Sequence, residues 1–111
     1  MSTNEKEFAV FASKLYALWF EAFPNITLAE MLIINRVCLY YDKGLKCGHK
    51  ELSADLCISQ STISKYLKKG IKAGIIYSQK ANDDRRRSYF YPLNEVLERR
   101  ATNFKRLMDI K

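Results

Sequence analysis

The run 60–73 is bracketed by residues that fix where a helix starts and stops, and two strand-like runs follow it at once. Ser59 precedes the run as an N-cap, its hydroxyl able to accept from a free N–H of the first turn. Gly74 follows it and suits the left-handed stop of a helix. Between them Ile63, Leu67 and Ile71 recur at fours and mark one apolar face, while Gln60, Ser61, Thr62, Lys65, Lys68, Lys69 and Lys72 lie on other faces. Residues 75–80 and 88–93 are rich in β-branched and aromatic side chains, and the polar stretch 81–87 between them reads as a turn. A helix followed so closely by a hairpin, 75–93, confines the chain to a small fold that is mainly α with one β-hairpin.

Four further segments read as helix, and Leu45–Gly48 reads as a loop or a short strand. Over 4–23 Phe8, Phe11, Leu15, Leu18, Trp19 and Phe23 mix spacings of three and four, with Asn4 as the expected cap and Pro24 as the stop. Thr27 with Glu30 three residues on forms a capping box for a helix over 27–43, and Lys43-Gly44 ends it. Leu28, Met31, Leu32, Ile34, Val37, Cys38, Leu39 and Tyr41 cover most of its circumference, which predicts a central helix. The segment 49–57 is too short to be stable alone, and Leu52, Leu56 and Ile58 anchor it. Asn94 is the expected cap of a last helix, 94–110, whose stripe is Val96, Leu97, Ala101, Phe104, Leu107 and Met108. One domain spanning 1–111 follows.

Charge divides the chain. Residues 1–47 hold five basic and five acidic groups, whereas 48–111 hold fourteen basic against seven acidic, so the whole net charge of +7 lies there. A neutral half joined to a basic half suggests a scaffold carrying a polyanion-binding surface. With one histidine, no glycine-rich phosphate loop and no clustered carboxylates, the chain is not expected to be an enzyme or to hold a cofactor. No stretch approaches the roughly 20 apolar residues of a membrane span, and no membrane partner is expected. No signal-peptide pattern opens the chain, and three cysteines form no disulfide framework, so a cytoplasmic, nucleoid-associated setting is expected.

The segment Leu52-Ser53, the run Ser59-Gln60-Ser61-Thr62-Ile63-Ser64-Lys65, the exit Ala73-Gly74-Ile75-Ile76 and the tip Asp83-Asp84-Arg85-Arg86-Arg87 occur in this order. Together they resemble the winged helix-turn-helix of MarR-type transcriptional regulators over residues 51–93, with flanking helices that match in type and position. Gly70 departs from that pattern, standing where a bulky apolar residue usually packs. This implies either a looser helix or larger neighbours.

The resemblance implies a double-stranded DNA partner. Gln60, Ser61, Thr62 and Lys65 would approach base edges from the start of the recognition helix, with Ser59 beside them, and Lys68, Lys69 and Lys72 would hold phosphates. On this reading Lys65→Ala lowers sequence discrimination, and Lys69→Ala weakens all sequences alike. One of Arg85 or Arg86 would enter the minor groove, Arg87 would begin the second strand, and Asp84 would hold a neighbouring arginine. Phe8, Phe11, Leu15 and Trp19, with Leu97, Phe104 and Met108, offer more apolar area than one small core requires. These N- and C-terminal helices are therefore expected to form a homodimer, setting two recognition helices about 34 Å apart on a pseudo-palindrome.

A repressor of this kind is the first reading. A winged helix protein-interaction module is the alternative from another class, and the net +6 of residues 60–87 argues against it. A plasmid or phage replication or partition factor would keep the DNA contact. The sequence leaves room for a small-molecule effector without pointing to one. Cys38 and Cys57 read as core residues and Cys47, beside Lys46, His49 and Lys50, as the exposed thiol. No metal site is expected.

Overall fold

Capping sets where two of the helices begin and end. The computed structural model describes residues 3–82 and 87–109, and within them the order is α1 (Thr3–Ala22), α2 (Leu28–Asp42), α3 (His49–Leu56), α4 (Gln60–Lys72), β1 (Ile76–Lys80), β2 (Ser88–Pro92) and α5 (Asn94–Asp109). The mainly helical fold with a hairpin is thus as expected. The helix α1 begins at Thr3, so Asn4 lies inside it, and Asn94 opens α5 as its first residue.

Thr27 caps α2 through the full capping box: its Oγ1 accepts from the Glu30 N–H, and Glu30 Oε1 accepts from the Thr27 N–H at 3.3 Å. The helices α2 and α4 end in the same way. Gly44, at φ 68°, lets Leu45 N–H reach the Tyr40 carbonyl (2.9 Å) and its own N–H the Tyr41 carbonyl (3.1 Å). Gly74, at φ 74°, does the same with Ile75 to Gly70 (3.0 Å) and its own N–H to Ile71 (3.1 Å). Both are Schellman closures, which satisfy carbonyls the helix leaves open.

The helix α2 is central. It packs on α1, α3, α4 and β2, and Met31, Ile33, Ile34, Val37 and Cys38 are buried in it. Leu28, Leu32 and Tyr41, however, face solvent, so the helix is not apolar-buried all round. Around it the core collects Trp19 from α1, Leu52 from α3, Ile63 and Leu67 from α4, Ile76 and Phe90 from the hairpin, and Val96 from α5.

On α4 the buried stripe runs Ile63, Leu67, Gly70, while Ile71 is 39% exposed. A spacing of four, then three follows the helix period, and a second step of four overshoots it. Gly70 is where Ile76 enters: a Cβ there would lie 3.1 and 3.2 Å from the Ile76 side chain. Of the two outcomes its position left open, the larger neighbour is the one observed.

The strands pair antiparallel from Ile76↔Pro92 to Lys80↔Ser88, and Ala81 N–H donates to the Arg87 carbonyl (3.0 Å) at the far end. Tyr77 and Tyr91 stack across the pair at 5.4 Å. Phe90 N–H donates to the Cys47 carbonyl (2.8 Å), so the loop before α3 is fastened to the hairpin.

Candidate nucleic-acid interface

The face of α4 opposite its buried stripe carries the charge. Ser61, Lys65, Lys68 and Lys72 follow intervals of four, three and four, which lines them up along the helix, and all four are exposed. At the head of this row Ser59 Oγ accepts from the Thr62 N–H (3.3 Å) and meets the Thr62 hydroxyl at 2.9 Å. Capping is therefore part of what Ser59 and Thr62 do. Gln60 and Ser61 are exposed, and Ser61 Oγ lies 3.2 Å from Ser59 Oγ. Lys65 extends its ammonium over the Tyr66 ring at 5.6 Å, which holds it at the helix surface rather than away from it.

Lys69 lies off the row. Its ammonium donates to Glu30 Oε1 at 2.9 Å, and the Glu30 side chain is only 8% exposed. The expected phosphate contact is here a partner to a buried carboxylate, which a charge so far from water requires.

A cleft opens between α3, the head of α4 and the turn end of the hairpin. Its volume is 570 Å³, and Gln60 and Arg87 line it together with His49, Lys50 and Tyr89. The recognition-helix and wing residues singled out in the sequence thus share one surface where both are described. Asp83, Asp84, Arg85 and Arg86, the rest of the expected wing, lie outside the described residues.

Sequence reasoning passed over Lys46 and Lys50 as members of this surface. Lys46 places its ammonium 5.4 Å from the centre of the Tyr89 ring, and Lys50 is exposed at the start of α3. The signal was present as two lysines flanking Gly48, a glycine whose Cβ would meet Glu51 Oε2 at 3.3 Å and the Ser88 carbonyl at 3.4 Å. Glu51 and Asp55 also line the cleft. Asp55 is engaged there, accepting from the Tyr40 hydroxyl at 2.6 Å and facing Arg36 at 4.0 Å, and that hydrogen bond is the main cause that pushes the Tyr40 phenol up to about 12.

Two expectations are corrected. Cys47, read as the exposed thiol, is buried, and burial, then the carboxylates of Glu51 and Asp55, push its thiol up to about 12. Cys57, read as a core residue, is exposed in the turn between α3 and α4, at φ 55°. Among the described residues no cluster of three His, Cys, Asp or Glu side chains converges as metal ligands would.

The helices α1 and α5 pack together, tied by Arg106 to Glu21, and Arg100 of α5 reaches Asp42 of α2. Phe11, Phe104 and Met108 are exposed there, the last two by 62% and 64%, with Leu15 and Leu97 half-buried. Trp19 is fully buried in its own core and leaves the expected dimer face. The Phe8 side chain lies outside what the structure describes.

No protein-family model matches the sequence, and no curated protein matches it. Solved structures do. MarR superposes with a TM-score of 0.64 at 15% identity, over 98% of this chain and 80% of that one. The fold is the MarR-type winged helix. The S. aureus MepR–DNA complex gives 0.71 at 15% identity over 97% and 87%, and NadR in complex with 4-hydroxyphenylacetate gives 0.71 at 19% over 92% and 68%.

Proposed function

We propose that this chain is a double-stranded DNA-binding transcriptional regulator, a repressor that acts as a two-fold dimer on a pseudo-palindrome. The observation that carries the reading is the exposed row Ser61, Lys65, Lys68, Lys72 running up to a cleft that Gln60 and Arg87 line together. Short polar groups lead the row and lysines follow, which suits base edges first and phosphates behind. On this reading one of Arg85 or Arg86, which lie outside the described residues, enters the minor groove, with Asp84 as support. The solved complex of the similar MepR with DNA supports the same partner.

The dimer forms through α1 and α5, where Phe11, Phe104 and Met108 leave an apolar face that a second copy covers. No helix of the described residues is long and apolar enough to cross a membrane.

Titration against random duplex at two salt concentrations tests the reading. A dimer holding about eight phosphates gives a slope of log K on log salt of about −7. A slope near zero would favour a protein-interaction module instead.

A second reading adds an effector. A 550 Å³ cavity lies between α1, α2 and α5, lined in part by Phe11, Leu15, Leu97 and Phe104. Trp19 Nε1 and both polar atoms of the Asn103 side chain are buried against it without a protein partner among the described residues. Such groups cost about 1–3 kcal/mol each unless something pairs with them. A small aromatic acid, the class bound in the NadR structure, would offer both an apolar ring and acceptors. Thermal unfolding with a panel of such acids tests this: one that binds raises Tm, and no shift across the panel removes the effector from the account.

A further inference from the structure

Resting on the DNA-binding reading, we propose that Lys69 is a positioning residue: through Glu30 it fixes the recognition helix against α2, and it does not itself hold DNA phosphate. Glu30 is the third residue of α2 and one of the two buried polar or charged residues among those described. Its Oε1 gathers the Thr27 N–H (3.3 Å), the Thr27 hydroxyl (3.0 Å) and the Lys69 ammonium (2.9 Å). The capping box that starts α2 is therefore also the socket for a side chain of α4.

Three observations agree on the direction of Lys69. It falls outside the row of Ser61, Lys65, Lys68 and Lys72, on the flank of α4 that turns towards α2. It sits in the last turn of α4, where the helix dipole favours a cation without DNA. And its partner is a carboxylate almost wholly removed from water, so releasing the ammonium to a phosphate would leave that carboxylate buried without an opposite charge. Gly70 next to it lets Ile76 approach α4 from the hairpin side. The helix is thus held at adjacent positions, by charge on one flank and by contact with the wing on the other.

The test compares full-length variants for duplex affinity across a salt series, with hydrogen exchange of the α4 amides measured in parallel without DNA. Lys69→Met is expected to weaken binding about tenfold, as a shift of about 1.4 kcal/mol in affinity would, while the salt slope keeps the parent value. Lys68→Met is expected to lower the magnitude of the slope by about 0.9 for each phosphate lost. Lys69→Arg restores affinity, since guanidinium also pairs with a carboxylate. Glu30→Gln removes a negative charge, which by charge alone would tighten binding, yet it is expected to weaken it. In the exchange measurement Lys69→Met speeds exchange across residues 63–72 and Lys68→Met does not.

Should methionine unfold the chain, Lys69→Gln still donates to Glu30 and its slope must stay at the parent value. A slope reduced by Lys69→Met as much as by Lys68→Met, or tighter binding by Glu30→Gln, overturns the proposal. If the parent binds no duplex at all, the DNA reading fails, and exchange alone decides whether the tie positions α4.

Discussion

Gly70 and Ile71 exchange the roles that their side chains suggest. Spacing at fours makes Ile71 a core residue, but the helix period carries the buried line through Gly70, where Ile76 fills the room. Ile71→Ala is therefore expected to change stability by less than about 0.5 kcal/mol, whereas Leu67→Ala costs about 2–5 kcal/mol; urea denaturation separates the two. Gly70→Val forces atoms into Ile76 and costs about 1–3 kcal/mol.

The cysteines make a second residue-scale expectation. In the native chain a thiol reagent titrates Cys57 alone, with Cys38 and Cys47 reacting only after unfolding; rapid labelling of Cys47 would contradict its burial. Burial holds the Cys38 thiol at about 11 and the Cys47 thiol at about 12, above the ordinary value of 9.0. Above the ordinary value the unfolded chain loses these protons first, so the native state binds more protons and stability falls as pH rises towards 11. Denaturation at a series of alkaline pH values reads that fall, and Cys47→Ala is expected to flatten it.

Among the elements, α4 is the one whose position matters most, and its two ends are held differently. Ser59 caps the start by accepting from Thr62 N–H, and Ser59→Ala is expected to cost about 1 kcal/mol. Gly74 closes the end at positive φ, where alanine costs about 1–2 kcal/mol. Thermal unfolding of both variants checks these values.

These caps, the capping box at Thr27 and Glu30, and the hairpin were all legible in the sequence, because each depends on residues within a few positions of one another. The partners of Lys69 and the burial of Cys47 and Trp19 were not. Each is decided by a contact between elements far apart in the chain, and periodicity says which residues share a face without saying which face is covered. The site was legible in the same measure. The order of polar head, lysines and arginine tip stood in the sequence, but Lys46 and Lys50 join it only because the loop before α3 is fastened to β2.

At the scale of the whole molecule, the lysine row of α4 and the exposed apolar residues of α1 and α5 belong to different elements. The cleft at the head of α4 is lined by Gln60 and Arg87, and none of Phe11, Phe104 and Met108 lines it. In the dimer reading this division lets two copies join without covering either recognition helix. Phe104→Asp is expected to shift the chain to monomer in sedimentation and to weaken duplex binding without lowering Tm by more than a few degrees. Retention of the dimer would place the interface elsewhere.

In the DNA-binding reading α4 and the turn end of the wing form one surface for the duplex. Amide chemical-shift mapping with a short duplex at low salt tests this most directly. The largest changes are expected at Gln60, Ser61, Lys65 and Lys68, at Lys50, and at Arg87 to Tyr89, with the α1–α5 face unmoved. Changes confined to the face around Phe11 and Phe104, or none at any salt, would contradict it.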